Sequence, residues 1–209
     1  MRLLLASASP ARAETLRRAG IDPLVAVSDV DEDALVRDAQ LERGPLSVEE
    51  VVELLARAKA EAVLRTAAAR DADLVVGCDS LLDLDGEAMG KPGTADRARR
   101  RWLRMRGREA VLRTGHWVRM RDGRARGAVS ATTVRFADVG EDEIDAYVAT
   151  GEPLRLAGAF TIDGLGAAFV AGVDGDPHGV VGISLPLLRT VLADLGVAWP
   201  SLWSPAARA

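Results

Sequence analysis

Cysteine, lysine and long apolar runs are what this 209-residue chain lacks. The lone Cys78 excludes an internal disulfide and suits a reducing compartment. No run of about 18 apolar residues occurs, so nothing reads as a transmembrane helix and no membrane partner is expected. The opening Met1-Arg2-Leu3-Leu4-Leu5-Ala6 is too short for a signal peptide and gives way at once to helix-starting residues. It reads as a buried strand of a cytoplasmic protein. A net charge of −4 excludes general affinity for polyanions, so any phosphate must be held in a local positive pocket. Neither His116 nor His178 has a partner at metal-ligand spacing. Repeats and linkers are absent too. The expectation is one domain over residues 1–209, long enough to bury a sizeable core, with a loose tail from about 200.

All but two of the 27 basic residues are arginine; the exceptions are Lys59 and Lys91. A position that stays lysine in such a chain points to a need for a compact ammonium with three donors, which a planar guanidinium does not replace.

What is present alternates between strand and helix patterns. Arg2 to Ala6 reads as a strand, Ser9-Pro10 opens a helix stopped by Gly20, and Pro23 to Val27 reads as a second strand. An acidic segment follows, then a polar stretch. Ser47-Val48-Glu49-Glu50 is a capping box that starts a long helix to about Arg70. Leu74 to Cys78 is a short apolar strand. Ser80 to Met89 around Asp85-Gly86 reads as a hairpin, as do the segments flanking Asp122-Gly123. Thr94 caps a helix to about Met105, and further helices are expected over Glu141 to Thr150 and Ser184 to Leu195. The fold class is therefore α/β with a mixed sheet flanked by helices.

Several residues carry chemical potential. On the long helix, Glu53, Arg57, Glu61 and Arg65 recur every four residues and form a charged ladder. Lys59 lies i+4 from Leu55 and i−4 from Val63, on the apolar face. It either snorkels to the edge of that face or enters a pocket with an anionic partner. Lys91 sits in the stiff turn Gly90-Lys91-Pro92, where it is either an ordinary exposed turn lysine or a phosphate contact. Asp79 follows the apolar strand, where open α/β sheets present ligand groups; it either caps a turn or helix or serves a divalent metal or a proton from water. Ser7, Ser9 and Arg12 surround a helix N-terminus that favours an anion. The acidic run Asp29 to Asp33 is either a solvated loop or a cation site. The basic run from Arg97 to Arg108 tempts a nucleic-acid reading, but Ala98, Trp102 and Met105 form an i, i+4, i+7 stripe that makes it an ordinary helix with wet arginines.

These pieces occur in the order of a known family. LLASASPARAETL (Leu4 to Leu16), SDVDE (Ser28 to Glu32), LARAKAEAV (Leu55 to Val63), VVGCDSLLDLDGEAMGKP (Val75 to Pro92), TGEPLRLAGAFTIDGLGAAFV (Thr150 to Val170) and GDPHGVVGISLPLL (Gly175 to Leu188) resemble the motifs of the Maf family of nucleotide pyrophosphatases. The resemblance implies a fold like that of the inosine-triphosphate pyrophosphatases, with two lobes around a central cleft, and often a homodimer. It implies cleavage of a nucleoside triphosphate to the monophosphate and pyrophosphate with a divalent metal cation, Mg2+ or Mn2+. By motif position, Asp79 would bind metal or activate water, with Asp31 and Glu32 as acidic partners. Lys59 and Lys91, with Ser7, Ser9 and Arg12, would hold phosphates, and Ser80 and Asp163 would face the substrate. The chain departs from the pattern in three places. Ala11 replaces the first arginine of a pair, Ser80 replaces a threonine, and Arg155, Leu156 and Asp163 replace residues of a segment whose glutamine is linked to uracil and thymine recognition in one subgroup. An Asp accepts hydrogen bonds where the amide could also donate, which leaves the base preference open. A rival implied by the same family is a nucleotide-binding regulator of cell division and septum formation that does not turn over.

Overall fold

The computed structural model describes residues 1–208. In chain order the elements are β1 (Leu3–Ala6), α1 (Pro10–Arg18), β2 (Leu24–Ala26), α2 (Glu32–Arg43), α3 (Val48–Leu64), β3 (Leu74–Leu84), β4 (Glu87–Met89), α4 (Ala95–Met105), β5 (Glu109–Met120), β6 (Ala125–Phe136), α5 (Glu141–Ala149), β7 (Val170–Asp174), α6 (Pro177–Val181), α7 (Leu185–Asp194) and α8 (Pro205–Arg208). Seven strands form one sheet in the order β2-β1-β3-β5-β6-β7, with β4 paired to β3. β1 is parallel to β2 and β3, and the remaining pairs are antiparallel. The mixed α/β sheet expected from the alternating patterns is what forms.

β3 organises the molecule. One long edge pairs with β5 from Leu74 to Asp83. The other edge is shared: β1 covers it from Leu74 to Gly77, and β4 covers it from Leu82 to Leu84. Between them the edge of β3 is free of strand partners. One face of β3 packs its first half on α1 and α7, through Val76, Cys78, Leu16 and Leu188. Its second half packs on α4 and α5, where Trp102 meets Phe136, Tyr147 and Phe169 edge-on at 5.6 to 5.8 Å. α3 covers the opposite face.

Local signals explain most of these elements. Ser47 and Glu50 complete the capping box of α3. Asp85 and Gly86 both take positive φ, 56° and 84°, which the tight turn between β3 and β4 requires.

The structure corrects five readings. The strand expected over Leu74 to Cys78 runs on without a break to Leu84, so Asp79 is mid-strand; β5 supplies an antiparallel partner for the whole length. The polar stretch after the acidic run is α2, capped by Asp31 and acidic in its first turn, yet burying only Ala39, too thin a stripe to read by periodicity. α3 ends at Leu64 rather than Arg70, because Ala67–Asp71 is a 3-10 turn that buries no residue fully and sets only Ala69 against the core. The strand placed over Ala168 to Val173 begins at Val170, after a 3-10 turn over Leu165–Phe169. The tail expected to be loose is tied down over its described start: Leu202 is buried, the Met1 amino group donates to the Ser201 carbonyl, and Ser204 N donates to Gly20 O.

Candidate active site

Two glycines let α3 lie flat on the sheet. A methyl group at Gly77 would collide with the Ala56 carbonyl, and one at Gly115 with the Val52 carbonyl. With Ala56 and Ala60 also small and fully buried, the helix axis comes close to β3 and β5. That close approach carries Lys59 over the strand. Its ammonium lies 2.6 Å from Asp79 Oδ1 and 2.8 Å from Glu32 Oε1, and the Lys59 and Asp79 side chains are only 11% and 10% exposed. Of the two readings of Lys59, the pocket with an anionic partner is the one realised.

Burial raises the pKa of Asp79; Lys59 and Arg12 oppose that shift by attraction, and the Glu32 carboxylate adds to it. A buried ion pair of this kind is poor value for stability, because desolvating both charges offsets their attraction. Its retention points to chemistry.

On the other side of β3, Arg12 is the hub. Its Nε donates to Gly182 O at 2.7 Å, Nη1 donates to Cys78 O at 2.9 Å and Ser7 Oγ at 3.1 Å, and Nη2 donates to Ser80 Oγ at 2.9 Å. Four of its five N–H groups are thereby committed, and one is left for a ligand. Thr114 Oγ1 donates its single proton to Gly179 O, so Ser80 Oγ is the donor in the 2.8 Å contact between the two hydroxyls. Ser80 therefore has only a lone pair left for a ligand. Ser7 Oγ also accepts from Ser9 N, and Ser9 caps α1 by accepting from Arg12 N.

Lys91 approaches from the free edge of β3. The β3–β4 register pairs Leu82 with Met89, so the chain leaving β4 turns back past Leu81 and Ser80. A methyl at Gly90 would lie 3.3 Å from the Leu81 side chain, which confirms that course. From the opposite end, β1 pairs Ala6 with Gly77, so Ser7 follows beside Cys78. The gap between β1 and β4 is thus flanked by Ser7 and the start of α1 on one side and the exposed Lys91 on the other, with Asp79 and Ser80 between them.

Two further expected residues have other immediate surroundings. Asp31 is exposed and accepts from Ala34 N as the cap of α2. Asp163 is exposed on a loop and makes no ion pair with Lys59 or Lys91. Glu152 holds that loop by accepting from Leu165 N, Gly166 N and the Tyr147 hydroxyl.

No group of three or more His, Cys, Asp or Glu side chains able to hold a metal occurs among the described residues. Asp79 and Glu32 nonetheless converge on one ammonium, and each has a second carboxylate oxygen with no protein partner among the described residues. One or two carboxylates are what Mg2+ takes from a protein where water and substrate phosphates complete its shell. The donor set fits.

Sequence reasoning missed Thr114, Gly182 and Arg101. Thr114 had a usable signal: it alternates with the inward-facing Leu112 and His116 on β5, yet is polar and fully buried. Gly182, with φ 119°, gave none, because its carbonyl matters only once Arg12 lies beneath it. A cavity of about 340 Å³ opens at the other end of β3, lined by Arg65, Arg70, Arg119 and Arg121. It does not include Asp79. The basic run on α4 is largely neutralised: Arg99 pairs with Glu141 and Asp145, Arg100 with Asp96, Arg104 with Glu87, and Arg108, beyond the helix, with Asp85.

The family model described as Maf-like protein matches residues 2–195. Proteins named nucleoside triphosphate pyrophosphatase are 56% identical in Nocardia farcinica, over 99% of this chain and 98% of that protein, and 54% identical in Saccharopolyspora erythraea, over 98% of each. One from Streptomyces coelicolor is 51% identical, over 98% of this chain and 96% of its own. Among solved structures, the Staphylococcus aureus Ham1 protein aligns with 66% of this chain and 73% of its own, at 16% identity and a TM-score of 0.41, too low to define a shared fold. The family match over nearly the whole length, with relatives above half identical, establishes that the chain belongs to the Maf-like proteins.

Proposed function

We propose that this protein hydrolyses nucleoside triphosphates to the monophosphate and pyrophosphate. The observation that carries the reading is the buried Lys59 ammonium held between Asp79 and Glu32, beside a gap in the edge of β3 that Lys91 and the start of α1 flank. Relatives more than half identical along their whole length bear that activity in their names.

In the reaction, water attacks the α-phosphorus, the bond from that phosphorus to the bridging oxygen of the β-phosphate breaks, and pyrophosphate leaves. Asp79 and Glu32 would hold the divalent cation, which when bound neutralises phosphate charge and acidifies water. Asp79 has a carboxylate that burial makes more basic than usual, suited to receiving the water's proton. Lys91, exposed and stiffly mounted, meets the charge that develops on the departing pyrophosphate. Lys59 keeps Asp79 ionised and aimed. Arg12 contributes its charge and one remaining N–H while fixing Ser7 and Ser80. Asp163 and Ser80 belong to the same proposal as substrate contacts, as do a homodimer and a cytoplasmic location; no helix is long and apolar enough to cross a membrane among the described residues.

One observation favours a second reading, a nucleotide-binding regulator that does not turn over. Ala11, exposed in the first turn of α1, has no side chain to reach a phosphate. Pyrophosphate release from a panel of canonical and modified triphosphates with Mg2+ or Mn2+ decides between them. Turnover that Asp79→Asn abolishes supports the enzyme; tight binding without release supports the regulator.

A further inference from the structure

On α4, Arg99, Arg100 and Arg104 each make an ion pair, whereas Arg101 makes none among the described residues and feels only the attraction of Glu87, which Arg104 already binds. It is half-buried all the same, and burial followed by the like charge of Arg97 pulls its pKa down. An unpaired guanidinium withdrawn from water needs a reason. Its partner is the main chain: Nη1 donates to the carbonyl of Gly90, the residue before Lys91.

The same carbonyl also accepts from Gly158 N at 3.2 Å, and Gly93 N donates to Leu154 O at 3.0 Å. The four-residue turn that mounts Lys91 is thus anchored at both ends, and Arg101 is its only side-chain anchor among the described residues. Pro92 stiffens the middle. Lys91 itself makes no ion pair among the described residues, so no charge partner sets its direction. Its placement comes from the backbone that carries it.

We propose that Arg101 is a positioning residue for Lys91: it does not touch the substrate, and it fixes the turn from which the Lys91 ammonium reaches the polyphosphate. This rests on the assignment of Lys91 to the polyphosphate made above. Arg101 lies within the basic run, but its role is intramolecular.

The test is a double-mutant cycle read by binding of a non-hydrolysable α,β-methylene triphosphate, with Tm measured alongside. Lys91→Met alone is expected to weaken binding. Arg101→Leu is expected to weaken binding about tenfold in the parent, the scale of one lost hydrogen bond from a charged donor. In the Lys91→Met background it is expected to change binding by less than about twofold, because residues acting through one group are not additive. Arg101→Lys, which retains a donor for the Gly90 carbonyl, should recover most of the affinity, and Arg101→Met, which keeps the apolar stem without the donor, takes the place of Arg101→Leu in the cycle should that variant fail to fold. Equal losses in both backgrounds, or parent-like affinity of Arg101→Leu, would overturn the proposal. Unchanged affinity in Lys91→Met alone would overturn the assignment of Lys91 itself, an outcome read from that single variant.

Discussion

The two lysines of this chain occupy opposite kinds of site, one on the covered face of β3 and one at its open edge. The Lys59 side chain is buried between α3, which carries it, and the sheet, and is held by charge, with carboxylates at 2.6 and 2.8 Å. Lys91 is exposed, has no ion pair among the described residues, and is held by the main chain of its turn. A buried ammonium is placed by electrostatics, which low local polarity strengthens and which removal of either partner unbalances. An exposed ammonium is placed by covalent geometry, so its loss leaves the fold intact. The same residue type therefore trades stability against function in one place and contributes only function in the other.

The largest effect is expected at the covered face. Asp79→Asn should lower kcat by roughly 10²- to 10⁴-fold, the usual range for a lost general base. Glu32 stays on the Lys59 ammonium in this variant, so the protein should still fold, with a smaller loss of Tm than Lys59→Met shows. Near-normal turnover would reverse the assignment. Lys59→Met comes next. It strands the Asp79 carboxylate in a site only 10% exposed and should destabilise the protein by about 3–5 kcal/mol in denaturant titration. Adding Asp79→Leu to it should restore much of that loss.

His116 sharpens the comparison, being a buried titratable group outside the charge cluster. It is fully buried, Nδ1 donates to Thr114 O, and Nε2 accepts from Ser184 N at the start of α7. Burial, then the nearby Arg12 charge, lowers its pKa to about 4. A folded-state pKa below the unfolded one means the unfolded chain binds the extra proton. Stability is therefore complete above the unfolded value of about 6.5 and falls as pH drops toward 4, by about 3 kcal/mol in all. Urea titrations across that window should show the slope, and His116→Gln should flatten it. The smallest effect belongs to the open edge. Lys91→Arg keeps the charge and should leave Tm unchanged, while kcat/KM falls about tenfold for want of a compact ammonium. Parent-like activity would show that any cation serves there.

Much of this was legible in advance, and the reasons are local. Lys59 sits on the apolar side of a 3.6-residue pattern, which singles it out but leaves snorkelling and a partnered pocket both open until α3 is docked on the sheet. The capping box of α3, the Asp85-Gly86 turn and the stripe of Ala98, Trp102 and Met105 are short-range signals that the structure honours. The helix α2 was not legible, because it buries almost nothing and owes its position to packing against α3. Asp31 illustrates the limit within a single motif. Its neighbour Glu32 reaches Lys59, whereas Asp31 turns back to cap the helix, and only the direction of α2 separates the two.

By itself the sequence determined most of the helices and strands, though not α2 or the full length of β3, that the sheet is mixed, and which few side chains have no ordinary structural use. These follow from periodicity, caps and composition, all of which act within a few residues. The tertiary structure alone decided that β1 and β4 leave a gap along β3, that two glycines let α3 descend onto it, and that Arg12 and Arg101 each reach a backbone carbonyl far along the chain or across a turn. Such facts depend on residues as much as 170 positions apart meeting in space, as Arg12 and Gly182 do, and no local pattern encodes that distance.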